Sequence, residues 1–194
     1  MQTESARYNN VAITLHWMIA ILIPAMFFFG LYADDLKEAL REGQGSLAQV
    51  VMAFNWHKTI GLLVLALAVA RLGWRLIHKA PPLPANMSGF EVLLTRVVHV
   101  AFYVLIIGIP LAGWLIISTS ESPSYFFNNH AFPIPEIWGN SEGLHETMEE
   151  VHEYGAWTIM ILMGLHIAAA LKHHFVNRDD VLTRMLPGFM QRKG

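Results

Sequence analysis

Four long apolar stretches, separated by polar segments, dominate the hydrophobic pattern of this 194-residue chain. They cover approximately residues 11–32, 50–77, 90–118 and 148–176, and each reaches the ~20 residues that a helix needs to cross a bilayer. The pattern predicts an all-α membrane four-helix bundle, in which a single domain occupies residues 1–194. Composition agrees: 54% of the residues are hydrophobic and 14% charged, whereas soluble domains carry about 25% charged residues.

The basic residues favour one orientation of these helices. With the N-terminus inside, ten of the thirteen basic residues fall on the inner face, as the positive-inside rule requires. Both termini are therefore predicted to be cytoplasmic. The outer face keeps Lys37, Arg41 and Lys58 as cations, against eleven acidic residues: Asp34, Asp35, Glu38, Glu42, Glu121, Glu136, Glu142, Glu146, Glu149, Glu150 and Glu153. The outer surface is thus predicted to be strongly acidic.

Histidines interrupt the apolar stretches, where a simple membrane anchor has none. His16 lies five residues inside the first stretch and His166 lies five residues before Leu171, the last strongly apolar residue of the fourth, so similar depths are expected. His57 and His152 lie near the outer ends of the second and fourth stretches. The 14 residues from His152 to His166 correspond to about 21 Å along a helix, with both side chains near one face. The sequence therefore predicts two histidine pairs, one in each half of the membrane.

Two facing histidines leave a gap between their rings that a haem fills, because its iron takes one imidazole on each side. Two haems b are therefore predicted, with iron held by His16, His57, His152 and His166. They must be bound non-covalently, because the chain contains no cysteine. Zinc is one alternative, although zinc sites are compact and commonly use three or four ligands. A proton relay is another, although relays usually include Asp or Glu partners.

Cations near the predicted haem positions are candidates for contacts with haem propionates. Lys58 follows His57 directly, and Arg71 and Arg96 lie in the inner parts of the second and third stretches. The basic residues at the inner end of the second stretch, which are Arg71, Arg75, His78 and Lys79, also have a simpler interpretation as a positive-inside anchor. A quinone pocket is a further alternative. His99, in the inner half of the third stretch, is a candidate for quinone or proton handling.

The connections differ in character. Residues 33–49 are acidic and predict a polar outer connection, whereas residues 119–147 are rich in aromatic residues, proline and asparagine and predict a lid on the outer surface. His130 and His145 in the longer connection are interpreted as ordinary surface residues. The segment from residue 175 to the C-terminus is predicted to form a basic amphipathic helix at the inner membrane surface.

A series of short motifs, in order and spacing, resembles the bacterial cytochrome b561 family. The motifs are R-Y-x6-L-H-W around His16, W-H-K-T-I-G around His57, R-x3-R before a proline turn, R-x2-H ending at His99, H-x13-H on the fourth stretch, and L-K-H-H-F-V-N-R-D-D-x-L-x-R-M near the end. The similarity extends from about Arg7 to Leu186. It implies a four-helix protein of the bacterial inner membrane with two haems.

The resemblance also implies roles for particular residues. It makes His16 and His166 the ligands of a cytoplasmic-side haem, the same pair that depth matching gives. It makes His57 and His152 the ligands of a periplasmic-side haem. His173, seven residues after His166, is implied to lie near a quinone on the cytoplasmic side.

The resemblance implies electron transfer between the quinone pool and a periplasmic reaction. A carrier would serve a periplasmic redox protein, whereas an oxidoreductase would oxidise superoxide and reduce ubiquinone, so enzymatic activity stays open. The acidic outer surface disfavours an anionic substrate and leaves Lys58 as the cation beside the outer haem. The carrier is the preferred function, superoxide oxidase the alternative, and a haem-free metal or proton transporter the third. Expected partners are membrane lipid and quinone, and not nucleic acid.

Overall fold

Four long helices form a bundle in the computed structural model, which describes residues 7–85 and 87–188. They are α1 (Asn10–Arg41), α2 (Leu47–Ile77), α3 (Gly89–Thr119) and α4 (Glu142–Lys172). All four are long and apolar enough to span a membrane. No β-strand occurs within the two described ranges. The predicted all-α membrane four-helix bundle is confirmed.

Side-chain caps and one ion pair fix the ends of three helices at the end of the bundle that carries Asn9, which we call the inner end after the predicted orientation; the opposite end is the outer end. The Asn9 side chain accepts a hydrogen bond from the Ala12 amide at 2.8 Å and caps α1. Ser88 and Glu91 form a capping box at the start of α3. Lys172, the last residue of α4, lies 3.0 Å from the same Glu91 carboxylate. This carboxylate therefore links the inner ends of α3 and α4.

The helices extend beyond the apolar stretches on the outer side. α1 continues to Arg41 although its apolar pattern ends at residue 32, and α4 begins at Glu142 rather than near residue 148. The expected polar connection 33–49 is consequently only residues 42–46. The apolar pattern delimits the part of a helix that suits lipid, whereas the backbone remains helical in water. Glu38, 3.1 Å from Arg41, supports this extension one turn from its end.

The helices pack in sequence, α2 against α1 and α3, and α3 against α4. One buried residue from each helix forms the central core: Ile19, Ala68, Ile106 and Ile159. α1 also meets α4 through the rings of Phe27 and Trp157, whose centroids lie 4.8 Å apart. The core therefore sits at mid-depth, between the histidines of the outer and inner halves.

The aromatic connection after α3 folds onto the outer end of α2. We call residues 120–141 the outer loop. The Asn55 amide donates a hydrogen bond to Asn128 Oδ1 at 2.8 Å, and the Phe127 amide donates one to Thr59 Oγ1 at 2.9 Å. These contacts hold Phe127 and Asn128 in left-handed backbone conformations, with φ of 55° and 54°. The outer loop is thus an ordered lid anchored on one face of α2.

The segment after α4 does not form the expected amphipathic helix in its described part. Arg178 adopts a left-handed conformation (φ 52°) that ends the helical path, and only a short 3-10 turn, Thr183–Met185, follows. The Met185 carbonyl accepts a hydrogen bond from Trp17 Nε1 at 2.7 Å, so this backbone is used to bind α1. Residues 189–194, with the predicted basic end, lie outside the described residues.

Candidate functional site

His57 on α2 and His152 on α4 face each other in the outer half of the bundle. Their ring centroids are 6.1 Å apart and the rings are inclined by 69°. Two imidazoles bound to opposite sides of one metal ion, each at about 2.0 Å, have centroids about 6.3 Å apart. The separation of the two rings is therefore suitable for binding one metal ion between them.

Backbone and glycine contacts orient these two rings. His152 Nδ1 lies 2.9 Å from the Ile109 carbonyl; as the donor in this contact it leaves Nε2 available to bind a metal. A Cβ added to Gly113 would lie 3.1 Å from His152 Cε1, and one added to Gly30 would lie 3.2 Å from His57 Cε1. Each glycine gives one histidine ring the room to approach a neighbouring helix.

The His57 ring also carries an unpaired polar atom. Its Nδ1 is buried and has no hydrogen-bond partner among the described residues. Buried ring nitrogens are normally paired, so a lone one needs an explanation. This atom lies on the edge of the ring that packs against Gly30 of α1, 3.7 Å from the position of an added Cβ, which leaves Nε2 as the nitrogen for a metal.

Three histidines, rather than two, meet in the inner half. His166 on α4 has its ring centroid 6.4 Å from that of His16 on α1 and 6.0 Å from that of His99 on α3. Both pairs of rings are inclined by 73°. Distance alone therefore allows either His16 or His99 to share a metal with His166.

The outer and inner groups are two layers separated by the same spacing on every helix. Each of the four helices contributes one residue to each layer, and on each helix the two residues are 14 positions apart. The outer layer contains Gly30, His57, Gly113 and His152; the inner layer contains His16, Arg71, His99 and His166. Fourteen residues correspond to about 21 Å of helix. The bundle thus repeats one arrangement at two depths.

A cationic cavity of about 340 Å³ opens beside the inner layer. Its charged lining consists of Arg7, Arg71, Arg75 and Lys79, and no acidic side chain in residues 7–85 and 87–188 lines it. His99 lines the same cavity, and Arg71 is held there by a hydrogen bond from its guanidinium to the Ala12 carbonyl at 3.1 Å. The cavity can therefore receive carboxylate groups.

The other two candidate cations lie outside this cavity. Lys58 donates a hydrogen bond from Nζ to Ser124 Oγ at 2.7 Å, so it bridges α2 and the outer loop next to His57. Arg96 is exposed on α3 and does not line the cavity. The structure thus brings Arg71, but not Arg96, into contact with the inner cavity.

The described residues contain no compact metal site. No group of three or more His, Asp or Glu side chains in 7–85 and 87–188 is close enough to hold a metal ion directly. The histidine pairs are instead spaced for a metal that brings its remaining ligands with it. This is the property of a haem, whose porphyrin supplies four nitrogens.

Comparison with known protein families gives a match over almost the whole chain. Residues 7–188 match the family described as prokaryotic cytochrome b561. The chain belongs to the prokaryotic cytochrome b561 family. As a member it is a b-type cytochrome of electron transport, and its four apolar helices make it a multi-pass protein of the bacterial inner membrane.

Individual relatives of this chain carry several descriptions. Cytochrome b561 homolog 2 of Escherichia coli (strain K12) is 33% identical over 93% of this chain and 91% of its own length. The probable superoxide oxidase CybB of Yersinia pestis is 27% identical, over 93% and 96% respectively. Cytochrome b562 of Cereibacter sphaeroides is 25% identical, over 95% and 98%. The resemblance to the cytochrome b561 family is thereby confirmed.

The residues of the two layers suit the b-type haem that the family implies. The imidazole separations match axial ligation, the glycines leave room at the outer rings, and His57 Nδ1 has no protein partner among the described residues. A haem also carries two carboxylates, for which the inner cavity offers cations. The donor set and its surroundings therefore fit a haem at each level.

His173 lies at the inner end of α4, seven residues beyond His166. It is buried, and its Nδ1 lies 2.6 Å from Asp179 Oδ2 and 3.2 Å from Asn177 Nδ2. Asp179 therefore fixes the orientation of the ring. His173 is thus positioned by its neighbours at the inner surface and is not one of the rings that face His166.

Two further histidines have ordinary surface contacts. The His130 ring lies against Tyr125, with centroids 4.3 Å apart. His145 lies between Thr119 Oγ1, at 3.0 Å, and Glu149 Oε1, at 3.4 Å. Both are in or beside the outer loop, at the places expected for surface residues.

Some site residues were absent from the sequence-based candidates. Gly30 and Gly113 position the outer rings, and Asn55 and Thr59 anchor the outer loop. The glycines had a usable signal, because each lies 14 residues after a histidine on the same helix. The loop anchors had none, because their partners are about 70 residues away along the chain.

Proposed function

We propose that this protein carries single electrons through two haems b, between the membrane quinone pool and the periplasmic side. The observation that carries the proposal is the repetition of a suitably spaced histidine pair at two depths, 6.1 Å in the outer layer and 6.4 Å in the inner layer. Membership in the cytochrome b561 family supports the electron-transfer role.

The residues that would hold the haem iron are His57 and His152 at the outer level and His16 and His166 at the inner level. A haem held by such a pair would supply a one-electron redox centre. The protein holds the rings in place: the Ile109 carbonyl fixes His152 in the outer layer. The apolar core between the layers keeps water out of the path.

Proposed propionate contacts are Lys58 at the outer level and Arg71 at the inner level. Arg71 is supported by its place in the cationic cavity, and Lys58 by its position next to His57. Arg96 is the weakest of the three predicted contacts, because it is exposed and outside the cavity.

The quinone is proposed to react at the inner surface near His173, with His99 as a second candidate. Ubiquinone is the proposed species. Reduction of one quinone to quinol consumes two electrons and two protons, so it requires two successive one-electron transfers. The His173–Asp179 pair is able to hold a proton at an imidazole nitrogen and to orient that nitrogen. This arrangement supports proton delivery from the cytoplasmic side.

The first experiment is a visible spectrum of the purified protein, together with haem quantification. We expect reduced b-type bands and two haems per chain. His57→Ala and His166→Ala should each retain one haem, whereas the matched surface control His130→Ala should retain two. A protein without b-type bands, or with one haem in the unaltered chain, would contradict the proposal.

A second candidate function is oxidation of superoxide coupled to ubiquinone reduction. It is favoured by the 27% identity to the probable superoxide oxidase of Yersinia pestis. It is disfavoured by the outer surface, where all eleven predicted acidic residues are exposed. Mixing superoxide rapidly with the oxidised protein in the presence of ubiquinone distinguishes the two: fast haem reduction supports the oxidase, and its absence leaves the carrier.

A further inference from the structure

We propose that the cationic inner cavity makes the inner haem the stronger electron acceptor of the two, and so directs electrons from the outer face towards the inner quinone. The inference rests on the proposed function, because it requires a haem at each level. It adds a direction to that function and assigns it to particular side chains, Arg71 foremost.

Arg71 is the cation of the inner layer itself. It lies 14 residues after His57 on α2, at the level of His16 and His166, and it lines the same cavity as His99. The hydrogen bond to the Ala12 carbonyl keeps it on the inner side of α1. Arg71 is therefore fixed beside the inner haem position rather than free to turn into solvent.

The cavity holds more positive charge than a haem can neutralise. It is lined by Arg7, Arg71, Arg75 and Lys79 and by no acidic side chain of the described part of the chain, whereas a haem brings two propionates. Two of these four positive charges are left over after both carboxylates are paired. The inner haem position therefore keeps a net positive environment.

The outer layer has a weaker supply of positive charge. Lys58 follows His57 directly, and its Nζ donates a hydrogen bond to Ser124 Oγ. The acidic side chains Glu149 and Glu153 lie three residues before and one residue after His152, and both are exposed. The outer haem position is thus less positive than the inner one.

Reduction adds one negative charge to a haem, so nearby cations stabilise the reduced form. The interaction is strong inside a membrane protein because the surroundings screen charge poorly. We expect the equilibrium between the two haems to place the electron on the inner haem at least tenfold more often. For one electron this corresponds to a difference in midpoint potential of about 59 mV. Two electrons from one-electron donors outside, with two protons from the inner side, would then reduce one quinone to quinol.

The test is an optical redox titration of the purified protein loaded with haem. His57→Ala and His166→Ala, each retaining one haem, assign the two components to the outer and inner levels. In the otherwise unaltered chain, Arg71→Gln should lower the midpoint potential of the inner component. The expected shift corresponds to about a tenfold change in the equilibrium constant for its reduction, and the outer potential should be unchanged. Arg71→Lys keeps the charge and should restore most of the shift.

The matched control is Arg178→Gln, which removes an exposed inner-face cation that does not line the cavity. It should leave both potentials unchanged. A higher potential at the outer haem, or an inner potential that Arg71→Gln does not lower, would overturn the inference while leaving the two-haem function intact. If Arg71→Gln loses the inner haem, Arg75→Gln provides the same measurement with one cavity cation removed. Loss of b-type bands in the unaltered protein would instead refute the proposed function itself.

Discussion

At the scale of single residues, the outer site depends on glycines as well as on histidines, because the glycines leave the space that the histidine rings occupy. His152 lies so close to α3 that a Cβ at Gly113 would be 3.1 Å from Cε1 and 3.2 Å from Nδ1. The same approach allows the contact between His152 Nδ1 and the Ile109 carbonyl. A methyl group at this position would therefore disturb both the placement and the tautomer of the ring.

We predict that Gly113→Ala selectively weakens binding of the outer haem. The ring of His152 has to shift by a few tenths of an ångström, and overpacking of this kind costs about 1–3 kcal/mol. Haem retention at the outer level should fall about tenfold during detergent washing, measured by haem content per chain. Gly108→Ala on α3 is the matched control, because a Cβ there meets no atom within 4 Å. Equal retention in the two variants would contradict the prediction.

The second residue-scale prediction concerns the choice between His16 and His99. Both rings lie within ligand range of His166, at 6.4 Å and 6.0 Å, so geometry leaves the choice open. We expect His16→Ala to retain one haem and His99→Ala to retain two, measured as haem per purified chain. The reverse result would make His99 the axial ligand and His16 the neighbouring residue.

At the scale of helices, the apolar stretches of the sequence predicted the number of helices correctly but placed some of the helix ends several residues too early or too late. The apolar part of α1 was evident, but the helix continues nine residues further, to Arg41. Its 32 residues correspond to about 48 Å, against a hydrocarbon thickness of about 30 Å. An apolar pattern cannot report this extension, because a helix continues in water through its own backbone hydrogen bonds.

Contacts between distant segments were likewise beyond a sequence-based prediction. The pairing of histidine depths required only helical periodicity and positions within each stretch. The approach of His99 to His166 depends on how α3 is rotated against α4, and the hydrogen bond of Asn55 with Asn128 depends on the path of the outer loop. Rotation and loop path are set by packing, which no local pattern encodes.

We predict that Asn55→Ala loosens the outer loop without loss of haem. Asn55 is buried and serves both Asn128 and the Tyr125 amide, so its removal leaves their polar groups unpaired at a cost of about 1–3 kcal/mol each. Limited proteolysis should cut residues 120–141 several-fold faster. Haem content should be unchanged, because the His57 side chain points about 160° away from that of Asn55 around α2.

The control for this prediction is Gln49→Ala, which changes an exposed side chain on the same helix. It should leave the cleavage rate as in the unaltered protein. Unchanged protection of the outer loop in Asn55→Ala would show that its other contacts are sufficient. In that case Thr59→Val, which removes the acceptor for the Phe127 amide, tests the second anchor.

At the scale of the whole molecule, the separation of charge between the two faces underlies both the orientation and the proposed direction of electron transfer. The acidic residues of the outer ends are all exposed, whereas the cations of the inner ends include four that line one cavity. If the positive-inside rule holds here, the cavity and His173 lie on the cytoplasmic side. The proton source for quinone reduction is then the cytoplasm.

This orientation can be measured directly, because the chain contains no cysteine and any introduced thiol is the only one. Glu42→Cys follows α1 at the acidic end and Arg178→Cys follows α4 at the basic end, and both positions are exposed. A membrane-impermeant maleimide applied to cells with a permeable outer membrane should label Glu42→Cys at once and Arg178→Cys only after lysis. The opposite pattern would place the cationic cavity in the periplasm, where its positive charge would favour an anionic donor instead of quinone reduction.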